Sequence, residues 1–551
     1  MPTVSSMLAT LNKKLRKPEQ FLFVGAVVVV LTASFLSRIL WLTTFPPGLD
    51  QDEAVNGYDA YTLGINGRDH RGNSWPLLLQ AFDDWPPVLL TYVTVPFVKV
   101  LGLSVTTIRL VVALFGCASV VAMYFLGRRV GLSRWFALLA TLILGLAGWS
   151  IYLSHFAIPP SPVPFFVCAF LVVFFAWLEL PKSLSWKQRL LWGGGVGLVA
   201  SLLTHAYSTM NLHIPVFLAG AGILVWLVRP HLRLSYFMIW IVYLLVAGPM
   251  LWITITQPQK YNARFNEITI MGRPNVVGNF KRNYLQYLSY RYFFGEGNKH
   301  PMYQMPGVPL FPLVLAVPFL VGIGALFYRT GLGTKHFLGH RPVHFTELQA
   351  LLLLFWIVLS PVSPALARDS YHFLRSVHLL PVVVVVMAIG AERLYALLTK
   401  AVHKQLALDM MGLIVLINVA VFLAYLRQAT GRYPDQLRRY FNDDLGASMR
   451  ALLEEERCTS RVVTLQITQP YIFYLFYAQR KPDQQLYESL DKRIKIWDMR
   501  TTTPEQVDDI QFASVKKEDL QGMMTVYRPI KGVPYSVYLS AEGKCVLFRD
   551  F

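Results

Sequence analysis

The side chains best suited to chemistry are five acids in one polar loop, residues 44 to 104, which follows the first long apolar run. They are Asp50, Asp52, Glu53, Asp83 and Asp84. A carboxylate can take a proton from an attacking group, and several together can hold a divalent cation. Acids beside an apolar segment are costly unless they are solvated, paired or used. They could equally cap the N-terminus of a helix, and the residues alone leave both interpretations open.

Later polar segments supply cations and hydrogen-bond donors that could stabilise a negatively charged leaving group. They are Arg109, Tyr207, Arg264, His372 and Arg375. Arg375 is the first choice for a phosphate, because a guanidinium can pair two phosphate oxygens at once. The ordinary alternative is that an arginine near a membrane surface extends toward lipid headgroups. The tyrosines of the loop 256 to 308 could likewise serve as interfacial anchors.

The composition is that of a polytopic membrane protein. Of 551 residues 54% are hydrophobic and only 15% are charged. Such a chain is read as a set of membrane spans. The 51 basic residues exceed the 32 acidic ones, which in a soluble protein would suggest nucleic acid. Here the basic residues concentrate in short loops between apolar runs, as membrane topology requires, so no nucleic-acid partner is predicted.

Hydropathy and loop charge predict about eleven transmembrane helices with a cytoplasmic N-terminus. The predicted spans are 21 to 42, 104 to 126, 135 to 153, 162 to 180, 190 to 207, 213 to 228, 236 to 255, 309 to 328, 347 to 363, 377 to 399 and 407 to 425. The apolar stretch 88 to 101 is short and contains Pro96, so an interfacial segment is expected there. The acidic loop then lies on the extracytoplasmic side.

A second module is predicted after the last span. Residues 1 to 425 form the transmembrane part, and residues 426 to 551 have the composition of a small extracytoplasmic α/β domain. Cys117 and Cys168 lie in apolar spans. Cys458 and Cys545 fall in the outer domain, where the oxidising environment permits a disulfide, although sequence separation cannot establish one.

Three blocks in the first outer loop resemble the start of the GT-C integral-membrane glycosyltransferases, a group that includes the protein O-mannosyltransferases and the lipid A aminoarabinose transferase. The blocks are Leu49-Asp50-Gln51-Asp52-Glu53-Ala54, Asp83-Asp84-Trp85-Pro86-Pro87 and Leu101-Gly102-Leu103-Ser104. The resemblance implies a GT-C fold with juxtamembrane helices in this loop. It also implies a polyprenyl-phosphate sugar as donor and a lipid, glycan or protein as acceptor.

The same resemblance implies roles for particular residues. Asp52 would be the base of an inverting displacement, with Glu53 orienting it or the acceptor. Asp83 and Asp84 would bind substrate, although Asp84 stands where some relatives carry a phosphate-binding lysine. No cofactor is firmly predicted; some relatives require a divalent cation, which the acidic loop could hold. The expected location is the cell membrane, with the active site and the C-terminal domain outside.

Two other classes of function remain open from the sequence. A transporter or flippase of lipid-linked substrates would place ionisable residues at mid-membrane in broken helices. The predicted spans are nearly free of charge at their centres, and the acids cluster in an outer loop, which favours the enzyme. A non-catalytic scaffold with the same fold is not excluded by the sequence.

Overall fold

We analysed a computed structural model of the chain. It describes residues 18–82, 84–295, 300–368, 372–491, 493–495, 502–528 and 535–549. Asp83, one of the predicted substrate-binding acids, therefore lies outside the described residues. The described part is an α-helical bundle followed by a small sheet domain.

The helices of the bundle and its loops follow one another in this order. They are α1 (Pro18–Ile39), α2 (Gln51–Asn66), α3 (Leu89–Leu101), α4 (Val105–Arg129), α5 (Arg134–Leu146), α6 (Gly148–Leu153), α7 (Val163–Leu178), α8 (Trp186–Thr204), α9 (Met210–Val228), α10 (Arg233–Val246), α11 (Gly248–Thr256), α12 (Pro258–Tyr261), α13 (Ala263–Ile268), α14 (Val276–Tyr287), α15 (Tyr290–Phe294), α16 (Ala316–Leu338), α17 (Phe345–Leu359), α18 (Val362–Ala365), α19 (Leu380–Ala401) and α20 (Lys404–Ala429). Short 3-10 helices precede α10, α16 and α19, at Pro230–Leu232, Leu313–Leu315 and Phe373–Leu379.

Every predicted span coincides with a helix or a pair of helices. Among the described residues, seven helical segments are long and apolar enough to cross a membrane: α1, α4, α9, α16, α17 taken together with α18, α19 and α20. The pair α10 and α11, bent by 60°, would make an eighth span. The remaining predicted spans fall on α5 with α6, on α7 and on α8, which are shorter or less apolar. The count of eleven crossings therefore stays a prediction.

Close helix contacts in the bundle depend on small residues. A Cβ at Gly193 of α8 would meet the carbonyl oxygen of Ser235 on α10, and one at Gly390 of α19 would meet that of Pro318 on α16. Small residues let membrane helices approach in this way. The side chain of Arg38 is buried and donates to the carbonyl oxygens of Leu144 and Gly145, which lie where α5 ends. These bonds satisfy carbonyls that would otherwise be unpaired within the bundle.

The first loop is ordered by acids other than those predicted to act. Asp59 on α2 accepts hydrogen bonds from the backbone N–H of His70 and contacts its ring at 2.7 Å. Asp69 accepts from the backbone N–H groups of Arg71 and Asn73. Asp59, Asp69 and His70 are buried, so these side chains fold the loop onto α2. As expected, residues 89 to 101 form a 13-residue helix that is too short to be a full span.

The C-terminal module is built on one mixed sheet. Its helices are α21 (Tyr433–Leu437), α22 (Leu445–Glu454), α23 (Pro470–Ala478) and α24 (Gln484–Asp491), and its strands are β1 (Ser460–Thr464), β2 (Arg493–Lys495), β3 (Thr502–Pro504), β4 (Gln506–Val507), β5 (Ile510–Ala513), β6 (Met524–Tyr527), β7 (Tyr535–Leu539) and β8 (Lys544–Arg549). The sheet order is β4-β5-β1-β8-β7-β6, with β1 parallel to both of its neighbours. The other pairs are antiparallel, and β2 pairs with β3 separately. Cys458 and Cys545 form a disulfide, so the pairing that sequence left open is made.

This module shares a hydrophobic core with the first loop. Residues of α2 and α3 and of helices α22 and α23 belong to the same buried cluster. The hydroxyl of Tyr58 on α2 donates to the carbonyl oxygen of Arg480 at 2.6 Å, and Arg71 donates to that of Leu490 at 2.8 Å. The helix that carries Asp52 is therefore held from the side opposite the bundle by the C-terminal module.

Candidate active site

The N-terminus of α2 separates the three neighbouring acids of the Leu-Asp-Gln-Asp-Glu sequence. Asp50 is the N-cap, and its Oδ1 accepts from the backbone N–H of Asp52 at 2.9 Å. Glu53 completes a capping box by accepting from the backbone N–H of Asp50 at 3.2 Å. These contacts satisfy donors that a helix start leaves unpaired. Helix capping therefore accounts for Asp50 and in part for Glu53, but leaves Asp52 available.

Glu53 is fully buried in an ion pair with Arg109 of α4. Its Oε1 accepts from Arg109 Nε at 2.8 Å and from the backbone N–H of Ala157 at 2.9 Å, and its Oε2 accepts from Arg109 Nη2 at 2.6 Å. Neither side chain of the pair is exposed. Glu53 thus has the environment of a residue that joins α2, α4 and the turn after α6.

Arg109 does not have the environment expected of a phosphate-binding residue. Besides Glu53, its guanidinium donates to the carbonyl oxygens of Leu42, Pro46 and Gly48 at 2.7 to 2.9 Å. A guanidinium has five N–H donors, and these contacts use all of them. The sequence-based role for Arg109 as a direct substrate ligand is therefore not supported by its geometry.

Asp52 is exposed, and the charges of Asp84 in the first loop and of Arg264 in the segment after α11 act on it; the region between these side chains is called the recess below. Solvent reaches its carboxylate, yet protein lies around it, and this partial loss of hydration is the largest cause that raises its pKa to about 6. The negative charge of Asp84 raises the pKa further, and the positive charge of Arg264 lowers it. Asp52 is thus a carboxylate whose pKa lies nearer neutrality, as a general base requires.

Asp84 and Arg264 are the charged groups of the recess that act most strongly on Asp52. The carboxylate of Asp84 accepts from the backbone N–H of Trp85 at 2.8 Å. Burial raises the pKa of Asp84, and the charge of Arg264 lowers it. Arg264 pairs with Glu267 at 3.2 Å. This part of the recess therefore combines two carboxylates with one guanidinium beside Asp52.

An aromatic cluster joins the two loops next to these charges. The rings of Trp85 and Tyr261 meet edge to face with centroids 4.8 Å apart. Lys260 Nζ lies 4.7 Å from the centroid of Trp85 and 4.9 Å from that of Tyr261. Such an arrangement of rings and a cation suits the faces of a sugar or a polar headgroup. Sequence analysis marked these residues by type only and could not bring them together.

Arg375 and His372 form another part of the recess. The ring centroids of His372 and Tyr303 are 4.1 Å apart. Burial raises the pKa of Tyr303, which the charges of Asp50 and Asp52 raise further and those of Arg375 and Arg264 lower. The pKa of Tyr303 thus depends on the charges of two acids and of both arginines. It was not among the predicted residues, because nothing in its local sequence distinguishes it from the other tyrosines of the loop.

Tyr207, in the connection between α8 and α9, lies between the same groups. Burial raises the pKa of Tyr207, the charge of Arg375 lowers it, and that of Asp84 raises it. The structure thus places the described candidates Asp52, Asp84, Tyr207, Arg264, His372 and Arg375 around one recess, with Glu53 and Arg109 behind it.

The two arginine-bearing segments are held together by backbone contacts. Ile270 and Arg368 donate backbone N–H bonds to the carbonyl oxygens of Leu366 and Ile268, each at 2.8 Å. Asn283 of α14 donates to the carbonyl oxygen of Ala367 at 2.8 Å. The loop that carries Arg264 is therefore fastened to the turn that leads to Arg375.

A divalent cation at the acidic loop was left open by the sequence. Glu53 is bound by Arg109 and Asp50 caps α2, so among the described acids Asp52 and Asp84 remain as ligands, with Arg264 beside them. Within the described residues, the one group of three ligating side chains whose donor atoms lie close together is elsewhere, at His336, His344 and Glu347. The recess geometry therefore gives little support for a metal held by the first loop.

Comparison with known proteins bears on the fold of the chain. The profile of the dolichyl-phosphate-mannose-protein mannosyltransferase family matches residues 82–255. ArnT from Cupriavidus metallidurans superposes with a TM-score of 0.50 at 14% identity, over 85% of this chain and 87% of that one. The fold is that of the GT-C glycosyltransferases.

An archaeal GT-C protein gives the same result. The oligosaccharyltransferase of Archaeoglobus fulgidus matches with a TM-score of 0.50 and 14% identity, over 85% of this chain. This chain spans 64% of the length of that oligosaccharyltransferase. No curated protein sequence matches the chain significantly. Together these matches indicate the GT-C fold, which is the fold that the resemblance of the first-loop blocks implied.

Proposed function

We propose that the chain transfers a monosaccharide from a polyprenyl-phosphate donor to an acceptor hydroxyl or amine, with Asp52 as the base. The observation that carries this proposal is the placement of Asp52. It is the acid of the capping sequence that is neither a cap nor paired with Arg109, and it faces a recess lined by two further candidate arginines. The GT-C fold supports the class of reaction, and the environment of Asp52 supports its role.

The reaction we infer is a single displacement. Asp52 takes the proton of the acceptor as the acceptor atom attacks the anomeric carbon, and the bond from that carbon to the phosphate oxygen breaks. The electron pair leaves with the phosphate, so polyprenyl phosphate is the second product. Attack and departure on opposite faces invert the anomeric configuration. Asp52 must be ionised to act, and its pKa of about 6 leaves most of it ionised at neutral pH.

Arg375 is our candidate for the residue that binds the leaving phosphate. Arg264 offsets part of the negative charge of Asp52 and Asp84. A guanidinium that stabilises developing charge acts in the transition state. The charge of Arg375 lowers the pKa of Tyr207 and of Tyr303, two tyrosines that the charges of the recess acids also affect, which supports this assignment. We assign Tyr207, His372 and Asp84 to substrate contacts around this path. Glu53 and Arg109 act by holding the N-terminus of α2, and so the position of Asp52.

The recess is proposed to face outside the cytoplasm. Helix α4 begins next to the recess with Arg109 and ends at Arg128 and Arg129. The positive-inside rule favours a cytoplasmic location for that basic end, and so an extracytoplasmic one for the end that carries Arg109. The acceptor would then be a lipid, glycan or protein of the cell envelope, with the C-terminal module beside the site.

A donor panel tests the proposal. Purified full-length protein in nanodiscs is offered radiolabelled polyprenyl-phosphate sugars, one at a time, with a membrane extract as acceptor. We expect label from one donor to appear in a new product, together with release of polyprenyl phosphate. Movement of the donor across the bilayer without any new glycosidic product would contradict the proposal and favour a flippase. No reaction with any donor would contradict it as well.

A further inference from the structure

A second cluster of ligating side chains lies at the end of the bundle opposite the recess. Helix α16 has 23 residues, so it extends about 35 Å at 1.5 Å per residue. It starts beside the segment that packs near Tyr303 and ends at Leu338. The turn 339 to 344 then leads into α17. Two histidines and a glutamate, His336, His344 and Glu347, surround this turn.

The three side chains already converge. Nδ1 of His336 lies 2.9 Å from Oε1 of Glu347 and 3.1 Å from its Oε2. The rings of His336 and His344 have centroids 5.5 Å apart. One donor atom from each of the three residues lies within 4.8 Å of the other two. His336 lies on α16, Glu347 on α17 and His344 in the turn between them, so one ion bound by all three would link the two helices.

We propose that His336, His344 and Glu347 bind a divalent transition-metal ion of the zinc class. Zinc bonds of about 2.0–2.2 Å to nitrogen and oxygen in a tetrahedral site separate neighbouring ligand atoms by about 3.3 Å. The His336 and Glu347 atoms need to part by only a few tenths of an ångström to reach that value. His344 is exposed and can rotate toward them.

The set of ligands selects the class of ion. Two imidazoles with one carboxylate suit zinc, cobalt, nickel or copper, whereas magnesium and calcium prefer oxygen ligands throughout. Three protein ligands leave a fourth position for water, which the exposure of His336 and His344 permits.

Glu347 is held in place by its surroundings. It is 6% exposed, and its Oε2 accepts from the backbone N–H of His344 at 2.9 Å. A Cβ at Gly333 of α16 would lie 3.0 Å from the Cβ of Glu347, so the absence of a side chain there lets Glu347 approach α16. Hydrogen bonds to a ligand that do not involve the metal fix its orientation. Helix capping alone would explain the position of Glu347 but does not require two histidine rings beside it.

Metal binding at this position would join the end of α16 to the start of α17. An ion that binds the folded chain and not the unfolded one raises the free energy of unfolding by mass action. We therefore expect zinc to raise the melting temperature of the protein without any need for substrate. This site and its test are independent of the proposed glycosyl transfer, since the cluster is remote from Asp52.

Cobalt provides the direct probe. Full-length protein carrying a purification tag without histidine is freed of metal with EDTA, dialysed, and titrated with Co²⁺ in detergent. We expect one equivalent to give the intense visible absorption of tetrahedral cobalt, which Zn²⁺ then displaces. His336→Gln and His344→Gln should each weaken binding by about tenfold or more and abolish the rise in melting temperature caused by Zn²⁺.

His403→Gln is the matched control. His344 and His403 both precede a helix as its N-cap, so replacing either alters a cap, but only His344 belongs to the cluster. We expect His403→Gln to keep the wild-type cobalt spectrum and affinity. Absence of a tetrahedral spectrum in the wild type would overturn the proposal. A spectrum that survives unchanged in both His336→Gln and His344→Gln would overturn it too, as binding would then be elsewhere.

Discussion

The adjacent acids Asp52 and Glu53 of helix α2 have opposite environments. Glu53 points into the protein, is not exposed, and meets Arg109 through two short hydrogen bonds. Asp52, one residue earlier, faces an open recess and is surrounded by charges that only partly balance it. The comparison shows that neighbouring carboxylates in one sequence block can have different roles. Glu53 fixes the helix through its ion pair, whereas Asp52 has a raised pKa that suits a base.

The largest effect is expected from Asp52→Asn. Loss of a general base typically costs about 10²–10⁴ in rate, and we expect a loss of transfer in this range. The asparagine keeps the size of the side chain, and Asp52 makes no buried ion pair. The melting temperature of the variant should therefore equal that of the wild type, which a thermal melt checks in the same preparation. Equal loss of activity and of melting temperature would point to a structural role.

Glu53→Gln should affect folding more than chemistry. It leaves the buried guanidinium of Arg109 without its carboxylate, and breaking a buried pair in this way costs about 3–5 kcal/mol. We expect a large fall in melting temperature. The double variant Glu53→Gln, Arg109→Gln removes both charges and should be more stable than Glu53→Gln alone. If the single variant melts like the wild type, the pair does not hold α2 in place.

Arg375→Ala tests another part of the recess. Removal of one group that stabilises developing negative charge costs about 10²–10³ in kcat, and we expect kcat/KM for the lipid-linked donor to fall by a similar factor. Arg375→Lys should recover part of the activity, since it restores the charge but not the paired N–H groups. Arg282→Ala, an exposed arginine on α14, is the matched control and should react at the wild-type rate.

The smallest effects are shifts of the pH profile. Activity should fall as pH drops through the pKa of Asp52, about 6, because only the ionised form accepts a proton. The charge of Arg264 lowers this pKa, so Arg264→Gln should move the acidic limb of kcat/KM to higher pH. The charge of Asp84 raises it, so Asp84→Asn should move the limb to lower pH. Two shifts in the same direction would show that another group controls the limb.

Much of this arrangement could be predicted from the sequence. The apolar runs located the helices, and the three blocks of the first loop indicated the GT-C fold. The resemblance implied Asp52 as the base and Glu53 as an orienting acid, but the contacts that separate the two acids could not be predicted, because they involve distant partners. Glu53 is paired by Arg109, 56 residues away in the chain, and by the backbone of Ala157, 104 residues away. From residue type alone, Asp52 and Glu53 look equivalent.

Other features were missed for similar reasons. Tyr303 reaches the recess only because its loop folds back between the acids and Arg375. Asp59 and Asp69 were not among the acids that the sequence singled out; in the structure they accept hydrogen bonds from backbone N–H groups, and Asp59 also contacts the buried ring of His70. The cluster of His336, His344 and Glu347 lies in a turn that its basic residues marked as a topology signal. Its convergence depends on the antiparallel return of α17 along α16, which a linear spacing does not reveal.

The most direct test of the central claim compares transfer rates of two variants at equal concentrations of folded protein, once a donor is known. One is Asp52→Asn, and the other is Glu53→Gln, Arg109→Gln. We predict that Asp52→Asn melts like the wild type and transfers almost no sugar, while the double variant melts earlier and still transfers measurably below its melting temperature. Transfer by Asp52→Asn at the wild-type rate would contradict the account, since the open carboxylate would then not be the base.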